Sequence, residues 1–295
     1  MIRLVNVNKR FKRHHVLKDI TLNADAGDRI ALVGSNGAGK TTLIRCLLGE
    51  YDYDGFIHVG ERESRKERSE ILSRVGFVPQ LPPPLKMSVK QLVHYAAGLC
   101  HSDPGEIISV IRTLGLNFDD IAHQSFNRLS GGQKQKVLIG IALGREYDLL
   151  LLDEPTANLD PQARQEFFKL LSKRTGNAAM LLSSHRLTEV ATLVNRVVEL
   201  DAGRVVLDDR VEDSDLAQES RCRIVLNRTD DAFANSIREW GFLNAPRHVV
   251  WQGRVSGADR LRLMGVISRY VSLIRSVQFD EIEEQSDASR PARSA

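Results

Sequence analysis

Eight consecutive residues, Gly34, Ser35, Asn36, Gly37, Ala38, Gly39, Lys40 and Thr41, fit the spacing G-x-x-x-x-G-K-[ST]. Glycines at those intervals let backbone N–H groups converge on a chain of phosphates, and a helix starting behind them aims its positive end at the same charge. In that chemistry Lys40 reaches the β- and γ-phosphates of a nucleotide, the Thr41 hydroxyl ligates magnesium, and Thr42 belongs to the same cluster. A second constellation, Leu149-Leu150-Leu151-Leu152-Asp153-Glu154, is an apolar run that emerges into two acids. At the C-terminal end of a parallel strand Asp153 could hold the metal, directly or through water, and Glu154 could polarise the attacking water. Taken alone, the first is a tight turn with a lysine and the second a core strand meeting solvent. Together they point to nucleotide chemistry.

Positioning these groups requires strand, loop and helix in that order. Ile2 to Val7 and Arg29 to Val33 read as strands, the second running into the glycine loop. Leu43, Ile44, Leu47 and Leu48 then form a helical apolar stripe. From Leu81, opened by Pro82-Pro83-Pro84, the pattern turns helical, with Val89, Leu92 and Val93 and later Ile107, Ile108, Ile111 and Leu114. This is an inserted helical subdomain over about 81–135. A helix over Gly132 to Leu143, the strand Leu149 to Leu152, a helix over Pro161 to Lys173 and a strand near Met180 to Leu182 complete an α/β core with parallel strands.

At 295 residues the chain has room for about two domains. The first is expected over 1–208, followed by an acidic linker at 209–220. A small accessory α/β domain follows over 221–283: strand (Arg223 to Leu226), helix (Asp231 to Trp240), strand (Val249 to Val255), helix (Ala258 to Tyr270) and strand (Ile274 to Phe279). The segment 284–295 is small, polar or charged, and is expected to be disordered.

With 41 Lys+Arg against 38 Asp+Glu, the chain carries no overall field that would argue for nucleic acid. The basic cluster from Lys9 to His15 encloses Phe11, but no second basic-aromatic segment accompanies it, so it reads as a solvated loop. Apolar runs are far shorter than the roughly 20 residues that cross a bilayer, and the N-terminus shows no signal stretch. Residence in the cytoplasm is the expectation. Cys46, Cys100 and Cys222 form no ligand spacing and read as buried reduced thiols; Cys222 with His248 likewise lacks the pattern of a metal sensor.

Leu129-Ser130-Gly131-Gly132-Gln133 narrows the reading, because it resembles the signature motif of ATP-binding cassette (ABC) proteins. Other elements of that family follow its order: Gln80 after Gly76-Phe77-Val78-Pro79 resembles the Q-loop, Ala157-Asn158-Leu159-Asp160 the D-loop, and His185 in Ser183-Ser184-His185 the switch histidine. Phe11 stands where the family usually places an adenine-stacking aromatic, more often tyrosine, and Ala157 replaces a serine often found there. The resemblance spans about Met1 to Asp208. It implies a P-loop NTPase cassette using ATP and Mg2+, with Gln80 touching the metal or attacking water and His185 reporting the γ-phosphate. It further implies a head-to-tail dimer in which Ser130, Gly131, Gly132 and Gln133 of one copy close on the γ-phosphate held by the other, with Asp160 nearby.

By itself Ser130 is an ordinary helix N-cap, and His185 an ordinary histidine after a strand. One cassette without a membrane span implies two further partners, a second copy of the chain and a separate integral membrane permease that holds the complex at the inner face of the cell membrane. Leu81 to Met87 would contribute to the permease-docking groove. Leu159-Asp160-Pro161-x-x-Arg164 and Ser183-Ser184-His185-Arg186-Leu187-x-Glu189-Val190 look like the wording of cassettes paired with ABC-2-type permeases, many of them exporters. The appended domain is similar to the arrangement in the ATPase of the nitrous-oxide-reductase copper-maturation system, although other export cassettes carry extensions too. The rival is a soluble cassette ATPase acting on ribosomes or DNA, whose relatives carry a second linked cassette or long coiled coils; neither is visible in this sequence.

Overall fold

A computed structural model describes residues 1–174, 176–184, 190, 193–210, 219–244 and 249–281. Two compact units divide the chain, Met1–Arg210 and Val211–Ala295.

The first unit is built on a six-stranded sheet ordered β10-β9-β3-β8-β7-β6, with β3 at Arg29–Val33, β6 at Val75–Val78, β7 at Leu149–Asp153, β8 at Ala179–Ser183, β9 at Arg196–Asp201 and β10 at Arg204–Arg210. Strands β3, β6, β7, β8 and β9 pair in parallel and β10 runs antiparallel to β9. The continuous apolar runs of β7 and β8 are buried along their whole length, as strands covered on both faces must be. A second sheet, ordered β2-β1-β4-β5, is antiparallel and comprises β1 (Ile2–Phe11), β2 (His14–Ala24), β4 (Asp54–Val59) and β5 (Arg62–Glu63). Helix α1 (Lys40–Leu47) buries Leu43, Ile44 and Leu47 in the core shared by the two sheets, which also holds Leu48. A short helix, α2 (Arg68–Ser73), leads into β6.

The helical insertion comprises α3 (Val89–Leu99), α4 (Pro104–Thr113) and the short α5 (Phe118–Ile121). Local chemistry sets each start. Ser88 and Gln91 form a reciprocal capping box on α3, Asp103 caps α4 ahead of Pro104, and Asn117 caps α5. Val89, Val93, Ile107, Ile111 and Phe126 close a separate apolar cluster with Val137 of α6 (Gly131–Leu143). Ile108 is only partly buried against that cluster. Helix α7 spans Pro161–Arg174.

The end of this unit is held by an ion cluster in which Arg196 and Asp28 are buried and Asp208 and Arg210 are exposed. Arg196 bonds Asp208 through two nitrogens at 2.7 and 2.6 Å and Asn23 O at 2.7 Å. Asp28 takes Arg196 at 3.3 Å and Arg210 at 2.7 Å. Strand β10 therefore remains part of the first unit as far as Arg210.

The second unit follows the order β11 (Glu219–Leu226), α8 (Asp231–Arg238), β12 (Leu243–Asn244), β13 (Val250–Ser256), α9 (Gly257–Ile267) and β14 (Ile274–Glu281). Its sheet is ordered β12-β13-β11-β14, and its strand pairings are antiparallel. Phe233 packs edge-on against Trp251 and Tyr270 at 6.2 and 5.3 Å. Cys46 and Cys222 are buried, whereas Cys100 departs from expectation by being only half buried, where it accepts a hydrogen bond from Arg145. His248 and the segment 284–295 lie outside the described residues.

Candidate active site

The glycine loop joins β3 to α1. Gly34 has φ 144°, and a Cβ there would collide with the Leu200 carbonyl oxygen, so both backbone angle and space demand glycine. Gly39, at φ 112°, is the N-cap of α1. The ammonium of Lys40 donates to the carbonyls of Gly34 at 2.6 Å and Ser35 at 3.2 Å, and the residue is only 7% exposed. Burial pulls the Lys40 pKa down, while the nearby carboxylates of Glu154 and Asp153 oppose that shift. The lysine is thus a desolvated cation poised against two anions.

Those acids end β7, and β8 positions them. Asp153 is paired in register with Ser183, whose hydroxyl donates to Asp153 Oδ1 at 2.6 Å and accepts from the Glu154 backbone N–H at 2.9 Å. Asp153 is buried, and Glu154 leaves the strand at φ 48°, a left-handed conformation that turns the chain sharply. Turns from Glu154 O to Ala157 N and from Thr156 O to Leu159 N follow.

A cavity of about 490 Å³ brings together Phe11, Val16, Asn36, Gly37, Gly39, Lys40, Thr41, Thr42, Gln80 and Glu154. Gln80 reaches it from beyond β6 and Phe11 from the end of β1. The Phe11 ring lies edge-on to Tyr51 at 5.2 Å with the Lys9 ammonium 4.6 Å from its centroid, yet remains 39% exposed, leaving area for a planar base. Thr41 and Gln80 line the cavity with oxygen donors, the class that suits a hard divalent cation, whereas Asp153 is buried against Ser183 and is not among the lining residues. No group of three or more His, Cys, Asp or Glu side chains placed to hold a metal ion occurs among the described residues.

Ser130, Gly131, Gly132, Gln133 and Asp160 do not line this cavity. Ser130 and Gln133 form a capping box on α6: the Ser130 hydroxyl accepts from Gln133 N at 3.2 Å, and Gln133 Oε1 accepts from Ser130 N at 3.0 Å. The N–H groups of Gly131 and Gly132, at the first turn, belong to the donors that a helix leaves without intrahelical partners. Asp160 Oδ1 accepts from Ala163 N at 2.9 Å and Oδ2 pairs with Lys136 at 2.8 Å; the lysine bond above all holds the carboxyl below its ordinary range. His185 lies outside the described residues, directly after Ser184.

Sequence reasoning missed several residues here. Ser183 carries no motif of its own for this role, and only its register opposite Asp153 reveals it. Tyr51 meets Phe11 only through the fold. Glu199, paired with Val33 at the entrance to the glycine loop, is 5% exposed, its Oε2 has no partner among the described residues, and burial, helped by Asp201, pushes its pKa up to about 7. A polar residue in an apolar run was its sole signal.

The family described as ABC transporter matches residues 17–157. A putative ABC transporter ATP-binding protein of Bacillus cereus is 37% identical over 65% of this chain, and the matched region spans 37% of that relative's length. The methionine import ATP-binding protein MetN of Clostridium acetobutylicum is 32% identical over 78% of this chain and 75% of its own. The linearmycin resistance ATP-binding protein LnrL of Bacillus subtilis is 29% identical over 83% and 81%, respectively. Among solved structures, the ATP-binding subunit of an ABC transporter superposes with a TM-score of 0.66 at 25% identity, covering 72% of this chain and 91% of that one. No helix among the described residues is long and apolar enough to cross a membrane.

Proposed function

The chain belongs to the ABC transporter family, as an ATP-binding cassette, and from that premise we propose that it binds and hydrolyses ATP to drive a separate membrane permease. The observation that carries this reading is the division of the site. Lys40, Thr41, Gln80 and Glu154 share one cavity, while the signature turn at Ser130–Gln133 lies outside it. A nucleotide held in that cavity would be completed by the signature turn of a second cassette, so the working unit is a head-to-tail dimer with ATP at its interface, and two identical copies are the simplest case.

Each residue's task follows from its surroundings. The glycine loop cradles the phosphates with backbone N–H groups, and the partly desolvated Lys40 exchanges its carbonyl contacts for phosphate oxygens. Thr41, Gln80 and Asp153 would hold Mg2+, which neutralises phosphate charge when bound. Glu154, aimed by its own backbone bond to Ser183, accepts the proton of the attacking water. Phe11 takes the adenine.

The test of this core is Glu154→Gln, which keeps the side chain's size and removes its basicity. It should bind ATP, accumulate as a dimer and fail to turn over; hydrolysis at the wild-type rate would overturn the assignment of Glu154.

The type of permease is a finer reading. The wording from Leu159 to Arg164 and from Ser183 to Val190 supports an ABC-2-type exporter. The similar proteins include one named for resistance and one for import, so the direction of transport rests on that wording. Leu81, 75% exposed beside the prolines, is available to a coupling segment, whereas Leu85 packs on the helical cluster. Purification from native membranes should recover an integral membrane partner; ribosomal or DNA components in its place would favour a soluble remodelling ATPase.

A further inference from the structure

The sheet of the second unit has one covered face and one open face. Strand β11 sets Cys222 and Ile224 opposite Gly253 and Trp251 of β13 and opposite Phe279 and Val277 of β14. Cys222, Ile224, Trp251 and Val255 are buried, with Phe233 of α8 against Trp251. Alternate residues of a strand point to opposite faces, and residues directly opposite across a ladder share one. Arg221 and Arg223 of β11, Gln252 and Arg254 of β13, and Gln278 and Asp280 of β14 therefore occupy the other face, and each of them is exposed. Arg221 stands directly opposite both Arg254 and Asp280, with Arg223 next along β11. Like charges placed opposite each other are unfavourable, so strand pairing alone gives no reason for Arg221 to face Arg254. An anion lying over the pair would.

The sequence supplies one beside it. Strand β14 runs antiparallel to β11 and ends at Glu281, opposite Ser220, at the arginine end of the face. Ile282-Glu283-Glu284-Gln285-Ser286-Asp287 follows, outside the described residues. In the order β13-β11-β14, Arg221 is one strand from β14 and Arg254 two, about 5 and 10 Å at the usual strand spacing. Three residues of extended chain span about 10 Å, so Glu283 and Glu284 can reach both arginines and Asp287 can reach Arg223. Glu212, Asp213 and Asp215 precede β11, but their segment is fixed at both ends, by β10 and by β11.

We propose that the open face of this sheet is a docking surface whose occupant is the acidic segment that follows β14, with Glu283, Glu284 and Asp287 paired to Arg221, Arg223 and Arg254. The planar fork of arginine matches a carboxylate through two parallel bonds. Each exposed pair of this kind is weak and screened by salt. The tether compensates, because a segment joined directly to β14 is present at high effective concentration. While it is docked, other anions are kept from the face.

The experiment treats the full chain with the arginine reagent phenylglyoxal and reads modification rates at Arg221, Arg223 and Arg254 by peptide mass spectrometry. Arg228, exposed and beyond the end of β11, is the reference. The comparison is a variant carrying Glu283→Gln, Glu284→Gln and Asp287→Asn together. At low salt the three arginines should react about fivefold more slowly in the wild-type chain than in the variant, with Arg228 equal in both. At about 1 M salt, where the Debye length falls to about 3 Å, the difference should vanish. Equal rates in the two proteins at low salt overturn the proposal, as does a difference that Arg228 shares. Protection that deepens with protein concentration would assign the occupant to a second copy and overturn it. So would protection that is lost instead on Glu212→Gln, Asp213→Asn and Asp215→Asn, which would assign it to the segment before β11.

Discussion

The hydroxyl of Ser183 donates to Asp153 at 2.6 Å across the parallel pair β7 and β8, and the same oxygen accepts the backbone N–H of Glu154 at 2.9 Å. One small side chain thus fixes the orientation of one acid and the exit angle of the next. Ser183→Ala should fold, because the side chain is small and the strand is held by its ladder. We expect kcat for ATP to fall roughly ten- to hundredfold, the scale of an ångström-level misplacement of a catalytic group. Steady-state hydrolysis alongside a denaturation curve checks this; a rate within about twofold of wild type would show that Ser183 does not position the acids.

Phe11 offers an exposed ring braced by Tyr51 and Lys9. Phe11→Ala should weaken ATP binding by about 1 kcal/mol, or roughly fivefold, and leave kcat at saturation nearly unchanged. Phe11→Tyr should bind as wild type does. Equilibrium titration with a fluorescent ATP analogue distinguishes these outcomes.

Glu199 links stability to pH. Its folded pKa is pushed up to about 7 from an ordinary 4.5, because burial disfavours the charged form. The stabilising protonated form is fully present below about pH 4.5, and that contribution is lost as pH rises through 7. Glu199→Gln should therefore match wild type near pH 5 and be more stable above pH 8, by up to about 3 kcal/mol. Urea unfolding at the two pH values tests the sign; equal stability at both would place the titration elsewhere.

Arg196 is nearly buried and shared between Asp208 and Asp28. Replacing it with Met keeps the stem and leaves Asp28 to Arg210 and the exposed Asp208 to solvent. The expected cost is about 1–3 kcal/mol of unfolding free energy, the scale of lost hydrogen bonds between charged groups, because Arg210 still pairs with Asp28 at 2.7 Å. Denaturant titration measures it. Asp208→Asn should cost less, because Asp28 still faces Arg196.

The sequence by itself determined the chemistry-bearing loop, the two acids and the order of elements around them, since each depends on local causes. The glycine loop is marked by its spacing, the start of α6 by Ser130, which caps it, and β7 and β8 by uninterrupted apolar runs. The tertiary structure alone decided which distant groups meet. Ser183 finds Asp153 through strand register, Gln135 finds Pro155 through the path of α6, and Asp160 divides its oxygens between α7 and Lys136. Strands β2, β4 and β10, with mixed polar faces, became legible only once their partners were in place. Periodicity marks which face of an element is apolar, whereas pairing across the chain is set by long-range packing, which a single sequence does not encode locally.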